Sequence, residues 1–260
     1  MPAPALSVTD LALSSGGRQL VHPLHFSVDA GECVALLGAS GSGKSLTASA
    51  LAGSLPDGIT ASGKISFAGT GPGKAASISQ DPATSLNPLV PVGRQLAIPL
   101  FATGFTRAGA KAEAARLLAR AGIEEPAQVL PRYTGQLSGG QLQRVCIALA
   151  LACRNSVLVA DEPTTALDAV TQLKVLATLR AWGAEGRSLL FITHDLTAAA
   201  TLCTRAIVME AGRIVEQAPM AELFQSPQHP YTRRLVHAAA RAAQPLAAAR
   251  TAAARSAAAA

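Results

Sequence analysis

Residues 38–45 read GASGSGKS and satisfy the pattern G-x-x-x-x-G-K-[ST] with Gly38, Gly43, Lys44 and Ser45. The run before it, Cys33 to Leu37, is apolar throughout, and residues 44–51 suit a helix. A buried strand, a glycine-rich loop and a helix therefore follow one another. Backbone N–H groups converge on phosphate oxygens only where no Cβ obstructs them, and the following helix turns its N-terminus toward the same anion. The candidate phosphate contacts are Gly38, Ser40, Gly41, Ser42 and Gly43. Lys44 is suited to neutralise β- and γ-phosphate charge, and the Ser45 hydroxyl to reach Mg²⁺. A glycine turn with an accidental Lys-Ser would match by chance in a chain this long on the order of one per cent of the time. The loop alone leaves the class of phosphoryl transfer open.

A second acidic site stands at residues 157–162, VLVADE, where four apolar residues run into Asp161 and Glu162. An acid at the C-terminal end of a parallel strand lies where open α/β sheets bind ligands. That suits Asp161 for approaching Mg²⁺ through water, and Glu162 for polarising an attacking water as general base. Taken by itself, the pair reads rather as a strand ending in a solvated acidic turn.

Around these sites the patterning alternates between strand and helix. Residues 5–35 hold short alternating segments about Ser14-Ser15-Gly16-Gly17, as antiparallel strands do. Between 82 and 136 the character changes: prolines at 82, 88, 91 and 99 precede helical periodicity over 108–121, an inserted helical subdomain that extends to about residue 150. Helices are expected at 140–153 and 170–182, strands at 157–160 and 189–193, and a closing hairpin at 206–216 about Ala211-Gly212. Such alternation belongs to a parallel sheet. No internal repeat is present, so the chain holds one cassette.

Composition narrows the class of protein further. Aromatic residues make up 3% of the 260, so Ala, Val, Leu and Ile must build the core. No apolar run approaches the roughly 18 residues that span a bilayer, and the N-terminal stretch lacks the basic region of a secretory signal. The chain is expected in the cytosol. The formal charge of +6 is concentrated in five arginines after residue 231, leaving a body near neutrality. A nucleic-acid footprint is therefore not expected. Cys33, Cys146, Cys153 and Cys203 lie far apart, as reduced thiols do. His22 and His25, three apart in a strand, should point to opposite faces, so no transition-metal site is expected.

Further motifs follow in order: Gln80 after Ile78-Ser79, LSGGQ at 137–141, DEPTTALD at 161–168, and His194 after the strand residues FIT. With the phosphate loop, they resemble the ABC ATPases in order and approximate spacing over residues 5–235. The resemblance implies an α/β P-loop NTPase (RecA-like) core with an N-terminal antiparallel β-subdomain and an inserted helical subdomain. ATP and Mg²⁺ are the implied cofactors, with Ser45, Gln80 and Asp161 at the metal and Glu162, Gln80 and His194 catalytic. Ser138, Gly139 and Gly140 would cap ATP held by an opposing cassette, and Gln141 and Asp168 are implied as further ATP-binding residues. One chain then cannot complete its own site.

The segments QDPATSLNPLVPVGRQL at 80–96 and SPQHPYTRRL at 226–235 resemble the peptide/nickel importer branch of these ATPases, and GSGKSLTASALAGSLPDGI its nickel or metal-chelate members. That resemblance implies a motor on the cytoplasmic face of the inner membrane. Its partners would be a second ATPase, identical or related, two permeases and, indirectly, an extracytoplasmic binding protein. Two rivals are a soluble ABC ATPase acting on DNA or ribosomes and an exporter or lipoprotein-release ATPase. The stretch between Lys44 and Ser138 is too short for a chromosome-type coiled coil, and the single cassette does not fit the ribosome type. The 80–96 and 226–235 segments speak against the exporter. Two departures stand out: residues 6–25 hold no aromatic to stack on adenine, the first being Phe26 in the next strand, with Arg18 as a substitute by cation–π contact, and residues 236–260 form an alanine-rich tail, expected as a frayed helix or disordered segment, in place of a longer extension. Removing the residues after Arg241 is expected to leave ATP hydrolysis nearly unchanged, and a large loss of rate in the folded truncated chain would contradict this reading.

Overall fold

The computed structural model describes residues 3–68, 75–165 and 167–241. The chain opens with two long antiparallel strands, β1 (Leu6–Ser15) and β2 (Arg18–Val28), joined at Gly16-Gly17. Next come β3 (Cys33–Leu37), the phosphate loop and α1 (Lys44–Ala52). β4 (Ile59–Phe67) returns to pair with the free edge of β1, completing a three-stranded sheet in the order β2-β1-β4. The short β5 (Ala76–Ile78) leads into a run of helices: α2 (Pro82–Ser85), α3 (Val92–Ala102), α4 (Arg107–Arg120), α5 (Pro126–Val129) and α6 (Gly139–Ala152). The chain then alternates: β6 (Val157–Asp161), α7 (Ala169–Ala184), β7 (Ser188–Thr193), α8 (Leu196–Leu202) and β8 (Arg205–Glu210). β9 (Arg213–Pro219) turns back on β8, followed by α9 (Met220–Gln225).

The second sheet has six strands in the order β5-β6-β7-β3-β8-β9, parallel except for the last. The interiors of its central strands, residues 33–37, 157–160 and 189–192, are apolar because both faces are covered. On one face Val34, Leu36, Val159, Leu190 and Ile192 pack with β1, β2 and α1. On the other, Ala35, Leu37, Leu158, Ala160 and Phe191 join a core that runs through α3, α4, α6, α7 and α8. The period-two alternation of a strand thus splits one apolar run between two cores. This is the expected α/β core with its antiparallel and helical additions.

The expected elements are present with ends moved by one to three residues, and the helix starts are set by caps that apolar patterning does not mark. Thr106 caps α4, Asp168 caps α7 and Asp195 caps α8 by accepting N–H groups of the first turn. The closing hairpin turns on Ala211 and Gly212 at φ 48° and 74°, the left-handed pair that a two-residue hairpin loop requires. The histidine pair needs correction. Register shifts between β1 and β2 accompany a break in alternation, and Val21 and Leu24, three apart, are both buried. The period-two argument for opposite faces therefore fails between His22 and His25, and His25 is paired with Asp10 at 3.0 Å.

Cys146 and Cys203 are buried, Cys33 and Cys153 half-buried, and all four are free thiols. Burial pushes Cys146 up to about 12, so it stays a neutral thiol. Residues 230–241 are helical, and Val236 and Ala239 pack on the main core. The rest of the alanine-rich tail lies outside the described residues. Among the described residues no helix is long and apolar enough to cross a membrane. Phe191 is fully buried where β7 meets the helical core. Phe191→Ala should lower unfolding free energy by about 3–5 kcal/mol in urea titration; a cost below about 1 kcal/mol would mean that the site can collapse around the loss.

Candidate functional site

The phosphate loop leaves the C-terminal end of β3 and closes at Gly43, whose φ of 100° is a conformation L side chains rarely adopt. Lys44 opens α1, yet its side chain folds back over the loop: Nζ donates to Gly38 O at 2.7 Å and Ala39 O at 3.0 Å. The residue is 6% exposed. Burial lowers its pKa, and the charges of Glu162 and Asp161 oppose that shift. The hairpin turn braces the loop from outside, since Gly212 N–H donates to Ser42 O at 3.0 Å while Gly212 O accepts from His22 N–H at 2.8 Å. A Cβ on Gly212 would lie 2.4 Å from Leu20 O, so the contact requires glycine.

β6 brings the two acids to the same edge of the sheet. Asp161 is 6% exposed, and its Oδ1 has no hydrogen-bond partner. Burial raises its pKa and the Glu162 charge adds to the rise, while Ser45 and Lys44 pull the other way. A buried carboxylate oxygen left open beside a serine hydroxyl is a hard oxygen donor set, which fits Mg²⁺. Glu162 leaves the strand at φ 49°, with its N–H donating to Ile192 O at 2.9 Å. Its carboxylate is held on both sides: Thr165 Oγ1 at 2.9 Å and Thr193 Oγ1 at 3.4 Å donate to Oε2, and His194 Nδ1 lies 2.8 Å from Oε1. An ionised carboxylate only accepts, so Nδ1 carries the proton of that pair.

The loop and Glu162 enclose a cleft of about 640 Å³ lined by Ala39, Ser40, Gly41, Gly43, Lys44, Ser45, Gln80, Glu162 and His194, together with Leu20, Leu46 and Thr165. Gly38 lies behind it and is buried; Ser42 turns its hydroxyl inward, without a partner. The structure thus gathers the phosphate-loop and acid candidates, Gln80 and His194. Ser138, Gly139, Gly140 and Gln141 do not line this cleft. They start α6 as a capping box in which Ser138 Oγ accepts from Gln141 N–H at 3.3 Å and Gln141 Oε1 accepts from Ser138 N–H at 3.0 Å. Asp168 is outside it too, with Oδ1 accepting from Val170 and Thr171 N–H and Oδ2 from the Thr171 hydroxyl.

Three residues beyond the sequence-predicted set belong to the site. Thr165 and Thr193 fix the Glu162 carboxylate; both stand in the DEPTTALD and FIT segments, where a threonine beside acids or a histidine carries no signal of its own. Leu20 forms the apolar wall of the cleft where β2 passes the loop. Arg18 is exposed two residues earlier and Phe26 is buried in the core, so neither is among the cleft-lining residues. An isolated leucine in an alternating strand carries no signal for that position.

Residues 21–165 match the family model described as ABC transporter. The peptidoglycan transport ATP-binding protein YejF of Agrobacterium fabrum is 44% identical over 90% of this chain, which spans 47% of that relative's length. The probable peptide ABC transporter ATP-binding protein y4tR of Sinorhizobium fredii is 41% identical over 89% of this chain and 76% of its own length. Among solved structures, a dimeric bacterial ABC transporter cassette superposes with a TM-score of 0.72 at 25% identity, covering 83% of this chain and 98% of that one. With the loop, the paired acids and the braced cleft assembled as that family's sequence motifs require, the chain belongs to the ABC transporter ATP-binding family.

Proposed function

We propose that the chain is the ATP-hydrolysing subunit of an ABC importer of the peptide/nickel class, working at the cytoplasmic face of the membrane. One observation carries this reading: the buried ammonium of Lys44 shares a cleft walled by the phosphate loop with Glu162, and the charge of the buried Asp161 acts on it from the end of β6. The open oxygen of Asp161 and the Ser45 hydroxyl, with Gln80 at the rim, would hold Mg²⁺, which when bound supplies charge neutralisation at the phosphate oxygens. Loop N–H groups and Lys44 bind the phosphates. Glu162 takes the proton of the attacking water, and its carboxylate is oriented for this by Thr165, Thr193 and His194. His194 also contacts the terminal phosphate from the exposed side of the ring.

The capping box at Ser138–Gln141 and the helix-capping Asp168 lie apart from this chain's own cleft. Their proposed place is over ATP held by a second cassette, and the dimeric state named for a solved relative supports it. ATP bound between two cassettes favours closure by touching both halves, and cleavage removes that bias. Two permeases carry the cargo path, with a binding protein delivering to them. The peptide and peptidoglycan names of the relatives favour a peptide-type cargo, with nickel or a metal chelate as the alternative that the GSGKSLTASALAGSLPDGI segment supports.

Lys44→Ala is expected to abolish turnover, and full activity in that variant would refute the phosphate-loop assignment. Glu162→Gln should retain ATP binding, lose at least about 100-fold in rate and accumulate a closed dimer. Size exclusion with ATP and Mg²⁺, alone and with a co-expressed related ATPase, separates homodimer from heterodimer. A variant monomeric in both mixtures, beside a wild type that hydrolyses ATP as a monomer, would overturn the composite site.

The Asp161 carboxylate gives a test without turnover. Its folded pKa is raised, so its charge costs stability above that pKa, and the cost is relieved as pH falls through it. Asp161→Asn should therefore raise the Tm of the metal-free chain at pH 7, with the gain shrinking on acidification. An unchanged or lowered Tm would show that the carboxylate is already satisfied.

A further inference from the structure

The HPYT segment takes no part in the cleft chemistry described above, yet it folds back onto the phosphate loop. Glu216 on β9 seats it: Oε1 accepts from Gln228 N–H at 2.9 Å and Oε2 from His229 N–H at 2.9 Å. Pro230 begins the helix that follows, a position where its missing N–H costs nothing. Thr232 is fully buried beneath the first turn. Arg234 pairs with Glu210 at 3.1 Å and lies 5.7 Å from the centroid of the Tyr231 ring. The ring is thus held from below and from the side.

So seated, Tyr231 places its phenol oxygen 2.6 Å from Ala39 N, which donates to it. Ala39 N and Gly38 O belong to one peptide group, and Gly38 O is the acceptor for Lys44 Nζ at 2.7 Å. A single planar unit thus donates to Tyr231 at one end and accepts from the phosphate-binding lysine at the other. Its dipole is aligned by both bonds, and each polarises the group for the other. Rotating that peptide would break both contacts. The bond from Gly212 to Ser42 O acts on the far half of the loop, and Ala39 O, which accepts from Ser42 N–H at 3.2 Å and Lys44 Nζ at 3.0 Å, belongs to the next peptide.

We propose that Tyr231 is a positioning residue for Lys44, acting through the Gly38–Ala39 peptide, so that nucleotide affinity depends on the 226–235 segment being docked. The inference rests on the reading of the cleft as an ATP site. Through this link, anything that lifts the segment from β9 loosens the loop without touching the nucleotide.

The test uses the full chain, with displacement of a fluorescent ATP analogue for affinity and steady-state ATPase assays for KM and kcat. Tyr231→Phe keeps the ring and removes the oxygen. It should weaken ATP binding and raise KM by about 3- to 10-fold, the loss of one net hydrogen bond, with a smaller change in kcat and an unchanged Tm. In the Lys44→Ala background the same substitution should change residual affinity by less than about twofold, because the group it positions is gone. Glu216→Gln, which leaves the phenol intact but weakens its seat, should shift affinity in the same direction. Wild-type affinity and KM in Tyr231→Phe, or an equal loss with and without Lys44, would overturn the proposal while leaving the ATPase reading intact. A wild-type chain that binds no nucleotide would overturn both.

Discussion

Burying the ammonium of Lys44 is the constraint on which the site depends. A cation withdrawn from water needs either acceptor dipoles or opposite charge, and the loop supplies two carbonyls while the end of β6 supplies two carboxylates. Those groups come from strands that are not neighbours in sequence, and they meet because β6, β7 and β3 lie side by side in register. The sheet order is thus what allows the charge to be buried. Coverage of the sheet on both faces then keeps water from reaching the charges from behind, leaving the cleft as their open side.

The two acids share a strand end but not an environment. Asp161, still within β6, is desolvated and keeps an open oxygen, a state that a bound cation relieves. Glu162, one residue later at a left-handed φ, is turned toward Thr165, Thr193 and His194, which occupy its oxygens. Adjacent carboxylates that are stabilised in such different ways can divide the work of holding a metal and accepting a proton. The backbone conformation at Glu162 makes the difference, because a strand continued at ordinary φ would alternate the second side chain to the opposite face.

Much of this was legible in the sequence, and the exceptions have physical reasons. β3, β6 and β7 announce themselves because strands covered on both faces must be apolar throughout, and the motifs at their ends locate the cleft. β4 carries a weak signal: ITASGKISF is mostly exposed and paired to β1, and only Ile59, Ile65 and Phe67 are partly buried against the core, too few for a clear alternation. β5 has three residues, too few for a pattern. α3 carries Pro99 within it, which reads as a break in sequence although it falls near the end of the helix. The histidine pair went astray at a strand irregularity, which shifts every face assignment across it. Leu20 and Tyr231 needed the three-dimensional structure, since a wall residue and a phenol contact 192 positions from its partner leave no local trace.

The turn at Ala211-Gly212 adds no side chain to the cleft, yet it sets the cleft's dimensions. One glycine residue ties the phosphate loop through its N–H to Ser42 and the strand beneath the apolar wall through its C=O to His22, so main-chain bonds connect the two ends of the site. The turn acts as a calliper. Those bonds are made by main chain, so a substitution at Leu20 can change the chemistry of the apolar wall while the Gly212 link between strand and loop stays in place. Diversification of the wall and constancy of the phosphate grip are thereby separated in the architecture itself.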